Sequence, residues 1–303
     1  MRANGTVELQ TLKMGDYVSN IPCYVCRGPN HCDAERCRHC FAPMAIAHQA
    51  ASQKIQPHLL GVWSSPTAGK TTYLGMLADI LSRQHQGWQW LARGAFSVSL
   101  QQETLHALAE CEFPSPTDTN AEAWNWVHCQ IMRAVGRKSW ELVLPDVAGI
   151  ILQNELEHPQ SCAAIRAMAK YGGGGMLLID AERAAAGGNR EDFFTLKLLT
   201  YLHEAVSQQP KQSWQNRPLA IVFTKADICE ASRCDPTSFA REQLPGVWQM
   251  CRERFPCVKF FATSITAGSA ARIDRFGRRI SLPLRIEPRG VVEPFYWLLE
   301  HLG

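Results

Sequence analysis

A lysine held between a glycine and two threonines closes the stretch SSPTAGKTT, residues 64–72. Those residue types in that order suit a phosphate-binding loop. The backbone of Ser65, Pro66, Thr67, Ala68, Gly69, Lys70, Thr71 and Thr72 would wrap the phosphates, its N–H groups turned inward at the positive end of a helix. Gly69 permits close backbone approach, Lys70 reaches the β- and γ-phosphates, and the Thr71 hydroxyl ligates Mg²⁺. Ser64 stands where the pattern G-x-x-x-x-G-K-[ST] has its first glycine.

Three further stretches could complete such a site. Trp140-Glu-Leu-Val-Leu-Pro-Asp146-Val-Ala-Gly149 is an apolar run that ends in D-x-x-G. Asp146 would hold Mg²⁺ through water, and the Gly149 N–H would meet the γ-phosphate. The proline-stiffened loop FPSPTDTN, residues 113–120, offers a hydroxyl to ligate Mg²⁺ and sense that phosphate: Thr117 first, Thr119 second. The same polar cluster would also serve as an ordinary helix cap. Pro218-Leu-Ala-Ile-Val-Phe-Thr224-Lys225-Ala-Asp227 empties a strand into Thr-Lys-x-Asp. The Asp227 carboxylate would accept from guanine N1–H and N2–H₂. Adenine lacks that donor pair and would leave a buried acceptor unpaired, at a cost of about 1–3 kcal/mol. The Lys225 stem would cover the base, and Thr224 would tie this loop to the phosphate loop. Ser264, ending the run Lys259-Phe-Phe-Ala-Thr-Ser, would bring backbone groups to the guanine carbonyl. If Asp227 does not face the base, an ATPase is the alternative.

A second kind of chemistry lies in NIPCYVCRGPNHCDAERCRHCFAP, residues 20–43. Cys23-x₂-Cys26 and Cys37-x₂-Cys40, ten residues apart, have the spacing of a zinc knuckle or ribbon. Thiolates favour Zn²⁺, although the residue types also admit iron. His31, Cys32 and His39 are spare candidates for one ligand. A structural clip or partner-docking module fits better than a nucleic-acid reader, because the segment carries only Arg27, Arg36 and Arg38.

These residues need elements to hold them. Leu59-Leu60-Gly61-Val62-Trp63 is short enough for a buried strand, and Tyr73, Leu74, Leu77, Ile80 and Leu81 share one helical face. Residues 84–138 read as helical periodicity broken by prolines, with Trp88, Trp90, Trp124, Trp126 and Trp140 as core or interface aromatics. The glycine run 172–175 opens a strand ending at Asp180, either as a turn or as a second phosphate cradle, and Asp180 itself is either structural or borders the nucleotide. Residues 181–190 read as a mobile loop, Asp192–Val206 as an amphipathic helix, 268–289 as a basic irregular face, and Val291–Leu302 as a terminal helix. The 303 residues are 46% hydrophobic and 19% charged, with a formal charge of +3. That balance describes a globular protein and argues against nucleic acid or an anionic membrane as partner. No run approaches the length of a membrane span, and the first residues lack an export-signal core, so a cytoplasmic protein is expected.

The ordered set SSPTAGKT, DVAG, TKAD and ATS resembles the P-loop GTPases of the translation-factor-related (TRAFAC) class over roughly residues 58–302. The Pro-Thr-Ala-Gly-Lys wording, the prolines before Thr117 and the PRGVVEPFYWLL tail resemble bacterial double-GTPase proteins of multi-component conflict, or defence, systems. The resemblance implies a switch that binds GTP or GDP with Mg²⁺, hydrolyses GTP, and acts on other proteins of its system. Two departures bear on hydrolysis. Ile150 occupies the place of a water-positioning glutamine, which implies slow or partner-stimulated turnover, or an inactive adaptor. Thr67 replaces an asparagine that holds activating potassium in some relatives. Arg133 or Arg137 is either an internal arginine finger or, the plainer reading, a surface arginine. The expected architecture is a doubly wound, mostly parallel α/β sheet with nucleotide at the carboxyl ends of its strands. Residues 1–45 would form the zinc module, 46–57 a connector, and 58–303 the nucleotide domain.

Overall fold

The computed structural model describes residues 20–53, 55–133, 138–187, 190–207, 214, 217–273, 277 and 279–302. The first nineteen residues and Arg137, Arg275 and Arg278 lie outside them. Two short strands, β1 (Ile21–Pro22) and β2 (Pro29–Asn30), and helix α1 (Met44–Gln53) precede β3 (His58–Ser64) and α2 (Lys70–Ser82). Then come β4 (Trp88–Ala92), α3 (Ala95–Ala109), β5 (Asn125–Arg133), β6 (Ser139–Asp146), α4 (Gly149–Glu157) and α5 (Ala163–Tyr171). They are followed by β7 (Gly174–Asp180), α6 (Ala181–Ala185), α7 (Arg190–Ser207), β8 (Leu219–Thr224), α8 (Glu230–Cys234), α9 (Pro236–Gln243) and α10 (Pro245–Arg254). The chain finishes with β9 (Val258–Ala262), β10 (Ser264–Thr266), β11 (Ser269–Ile273), β12 (Arg279–Pro283), β13 (Ile286–Arg289) and α11 (Glu293–His301).

Seven strands form one mixed sheet in the order β4-β5-β6-β3-β7-β8-β9. From β6 to β9 every pairing is parallel, and β5 alone runs against its neighbours. Strands buried on both faces read as continuous apolar runs rather than alternating ones, as in LAIVF of β8. Successive residues nonetheless feed opposite cores. Leu219, Ile221 and Phe223 join the cluster under α4, α5, α7, α9 and α10, whereas Ala220 and Val222 join the cluster under α2, α3 and α11. The sheet is thus covered by helices on both faces, as the sequence pattern predicts.

The stretch 84–138 departs from its helical reading. It contains α3, but also β4 and β5, which pair antiparallel through Trp90↔Ile131 and its neighbours. Trp88, Trp90, Trp124, Trp126 and Trp140 are all buried core residues. The glycine run lies at the amino end of β7, across the sheet from the phosphate loop. A Cβ on Gly175 would stand 2.7 Å from the Gly61 carbonyl oxygen, and one on Gly174 2.8 Å from that of Pro218. These glycines therefore serve close strand approach, not a second cradle. Residues 268–289 contain paired strands, β11 with β12, while β10 pairs with β13.

Candidate nucleotide site and cysteine centre

The site collects at the carboxyl ends of the parallel strands. Leaving β3, the chain turns through Thr67 (φ 66°) and Gly69 (φ 84°) into α2, and the second of these left-handed positions is one that glycine fills without strain. Lys70 begins the helix, almost wholly buried, and its ammonium pairs with the Asp146 carboxylate at the end of β6. The Asp146 side chain is fully buried, so its charge depends on these partners. Its second oxygen accepts from Thr71 at 3.0 Å and from Thr117 at 3.1 Å, and the two hydroxyls lie 2.9 Å apart. Three segments distant in sequence thus converge on one carboxylate oxygen. Thr119 is exposed and makes no such contact, while neighbouring Asp118 and Asn120 cap the turn before β5. Thr72, on the first turn of α2, is buried.

Gly149 opens α4 directly against the loop. A Cβ there would meet the Cα and N of Pro66, both at 2.9 Å. Because those atoms are backbone, Gly149→Ala is expected to cost about 1–3 kcal/mol and to displace the phosphate loop. Urea unfolding and nucleotide titration of that variant should both move; an unchanged pair would mean the helix can retreat freely. Ile150 is 49% exposed on the same first turn.

At the other end, Thr224 donates to the Ala68 carbonyl at 2.8 Å, so the strand end is tied to the phosphate loop. Lys225 (φ 56°) sends its ammonium to Asp180, the buried last residue of β7 that faces Thr224 in register. The Asp227 carboxylate accepts from Thr266 at 3.0 Å, which fixes its orientation. Ser264 is buried at the start of β10, paired with Arg289.

Three residues here are not legible as site residues in the sequence: Arg183, Glu191 and Thr266. Residues 181–190, expected as a mobile loop, contain the short helix α6, whose N–H groups at Glu182 and Arg183 are capped by Asp180. Such capping by an Asp before small residues is the signal that could have revealed it. Arg133, by contrast, lies over the Trp88 ring and near Glu300, remote from the loop.

The cysteine centre is built from two matching turns. Arg27 N–H donates to the Cys23 carbonyl and Phe41 N–H to that of Cys37, at 2.8 and 2.9 Å. Both Arg27 and Phe41 have positive φ, 61° and 59°. Val25 and His39 donate their N–H groups to the sulfurs of Cys23 and Cys37, each at 3.4 Å. Asn30 joins the turns, donating to the Cys37 sulfur and the Gly28 carbonyl while accepting from Arg38 N–H. The four sulfurs lie within 4.8 Å of one another, with Cys23–Cys40 at 3.6 Å and Cys26–Cys37 at 3.5 Å. A tetrahedron with Zn–S of about 2.3 Å has edges of about 3.8 Å, so the set fits zinc and is far too open for disulfides. The bond from Cys23 holds Cys26 far below the usual thiol value, and Cys23 itself is pushed up to about 12.

A mostly parallel α/β sheet with a Gly-Lys-Thr turn, a D-x-x-G carboxylate and a Thr-Lys-x-Asp strand end defines a GTPase-like P-loop domain. The chain belongs to the Double-GTPase 1 family, whose model matches residues 61–213. Among solved structures it is similar to the GTPase-like domain of Ski7 from S. cerevisiae bound to GDP and inorganic phosphate. That match has 17% identity and a TM-score of 0.43 over 84% of this chain and 52% of that one. It is also similar to the RocCORdC part of Roco2 from Methanosarcina barkeri bound to GDP, with 14% identity and a TM-score of 0.29 over 69% and 43% of the two chains. This chain therefore spans about half the length of those structures or less. No curated protein matches it. Among the described residues no helix is long and apolar enough to cross a membrane.

Proposed function

We propose that this protein is a GTP-binding molecular switch that hydrolyses GTP to GDP and phosphate slowly or on stimulation by a partner protein. The observation that carries the reading is the meeting of Thr71, Thr117 and Asp146 beside Lys70. These are the groups expected of a Mg²⁺ site that reports the γ-phosphate. Thr71 and Thr117 would hold the ion by their hydroxyls and Asp146 through water; when bound, Mg²⁺ supplies charge neutralisation for the phosphates. Binding requires the Lys70–Asp146 pair to be exchanged, the ammonium turning to phosphate. The loop from Ser65 to Thr72 would cradle the phosphates, and the Gly149 N–H would reach the γ-phosphate. Thr117 would then be released on hydrolysis, loosening residues 113–120 as a switch segment. Zinc at Cys23, Cys26, Cys37 and Cys40 would be structural. By the resemblance to double-GTPase proteins, the partners are other proteins of a bacterial conflict system.

Asp227, oriented by Thr266, would read guanine, with Lys225 and Thr224 supporting the base and Ser264 closing the loop. Asp227→Ala is expected to weaken GDP binding by about 10²-fold, the loss of two hydrogen bonds to a charged acceptor, with much less effect on ADP. Equal losses for both nucleotides would remove the guanine assignment.

A hydrolysis-inactive adaptor is the second reading, favoured by Ile150, whose aliphatic side chain cannot orient a water. GTP binding and multiple-turnover hydrolysis on metal-replete protein, with ATP and Lys70→Ala as controls, separate the two. Slow turnover that Lys70→Ala abolishes supports the switch; tight binding with none, with or without candidate partners, supports the adaptor.

A further inference from the structure

Arg183 is the one cation beyond Lys70 that touches the phosphate loop among the described contacts, and nothing above gives it a role. Its guanidinium donates through Nη2 to the Pro66 carbonyl and, at 2.8 Å, to the Thr67 hydroxyl. Two acids hold the other side. Nε donates to Asp180 at 3.2 Å, and Nη1 lies 3.1 Å from Glu191. Of the five N–H groups of a guanidinium, these bonds leave one unclaimed, and the side chain is 37% exposed. Glu191 is buried, accepts from Ser65 in the same loop at 3.2 Å, and its second oxygen has no hydrogen-bond partner among the described residues. Asp180 is shared with Lys225.

This arrangement fixes a planar, always-charged group on the outer curve of the loop, at the two residues that turn around the phosphates. A guanidinium suits that place because its fork matches phosphate oxygens. When the guanidinium turns to phosphate, Asp180 keeps Lys225, whereas Glu191 keeps only the Ser65 hydroxyl, a cost that the phosphate charge must offset.

We propose that Arg183 is an internal arginine that neutralises the charge developing on the transferred phosphoryl group. The proposal rests on the GTPase reading above and deepens it. In the step concerned, water oxygen bonds to the γ-phosphorus, the bond from that phosphorus to the β–γ bridging oxygen breaks, and GDP leaves with the electron pair. Both protons of the water pass to inorganic phosphate, which leaves as dihydrogen phosphate. Arg183 moves from Pro66 and Thr67 onto the oxygens between the phosphates, a charge role distinct from the water orientation that Ile150 cannot supply.

The test uses the full chain, metal-replete, with Mg²⁺, GDP and aluminium fluoride, a mimic of the phosphoryl group in transfer. Turnover is not needed, so slow hydrolysis does not obscure the result. Wild type should take up the fluoride with GDP without a partner. Arg183→Ala and Arg183→Gln should weaken that complex by roughly 100-fold or more while changing GDP affinity by less than about threefold, and added guanidinium should restore part of the loss in the alanine variant. Arg183→Gln keeps a donor for Pro66 and Thr67, so it stays informative if the alanine variant misfolds. The proposal is overturned if wild type binds GDP but takes no fluoride, or if the glutamine variant takes it as wild type does. It is equally overturned if both affinities fall by one factor, which is the signature of a loop clamp. Wild type that binds no GDP would instead overturn the GTPase reading, and the inference with it.

Discussion

Lys70→Met is expected to lower GTP affinity by about 10²–10³-fold and, measured without nucleotide, to destabilise the fold by about 3–5 kcal/mol. Both effects have one origin. The Lys70 ammonium and the Asp146 carboxylate are paired where water does not reach, and the Asp146 side chain is fully buried. Removing the cation leaves an uncompensated buried charge, softened only by the hydroxyls of Thr71 and Thr117. Adding Asp146→Asn should therefore recover most of the stability, since a neutral amide no longer requires a counter-ion. It should recover none of the GTP affinity, because the phosphate cation is still missing. Urea unfolding of the two single variants and the double variant, with titration of a fluorescent GTP analogue, checks this. Three equally unstable proteins would mean that residue shape, not charge, governs the site. A double variant that binds GTP would remove Lys70 from the phosphate role.

The strands that carry the chemistry were legible because they are buried on both faces and end in residues of unusual type. His58–Ser64, Ser139–Asp146 and Leu219–Thr224 each run apolar into a hydroxyl or carboxylate. The cysteine pairs were legible from spacing alone. Asn125–Arg133 was not, because its polar His128 and Gln130 find partners on other segments: His128 lies 2.8 Å from Glu141 of β6, and Gln130 accepts from Arg93, just after β4. Arg183 and Glu191 were illegible for a related reason. Each sits in a run whose composition resembles a loop, and each becomes significant only because β7 lies beside β3 in the sheet. Thr117, placed ahead of Thr119 in the sequence, is the one whose hydroxyl reaches Asp146, whereas Thr119 is exposed.

Stripping the metal, or Cys37→Ser, is expected to lower the melting temperature by about 8–16 °C while leaving GDP affinity at low temperature nearly unchanged. A tetrahedral thiolate site contributes its binding free energy to folding, of which a loss of about 4 kcal/mol is a modest part. The unfolding should not stop at the module. Val25, Cys37, Met44 and Ile46 belong to the same buried cluster as Leu59 and Trp63 of β3, Arg27 lies over the Tyr171 ring at 4.3 Å, and Tyr24 donates to the Pro57 carbonyl just before β3. Apart from Trp63, these residues lie toward the amino ends of β3 and β7, whereas Lys70, Thr71 and Asp146 lie at the carboxyl ends, which is why affinity should survive. Cys111→Ser, at an exposed cysteine, is the matched control and should do neither. Acidification should mimic the chelator, because protonating the thiolates releases the ion. If GDP affinity instead falls in step with metal loss, the module and the nucleotide site share a two-state element through β3, and the cysteines report to the switch rather than merely brace it.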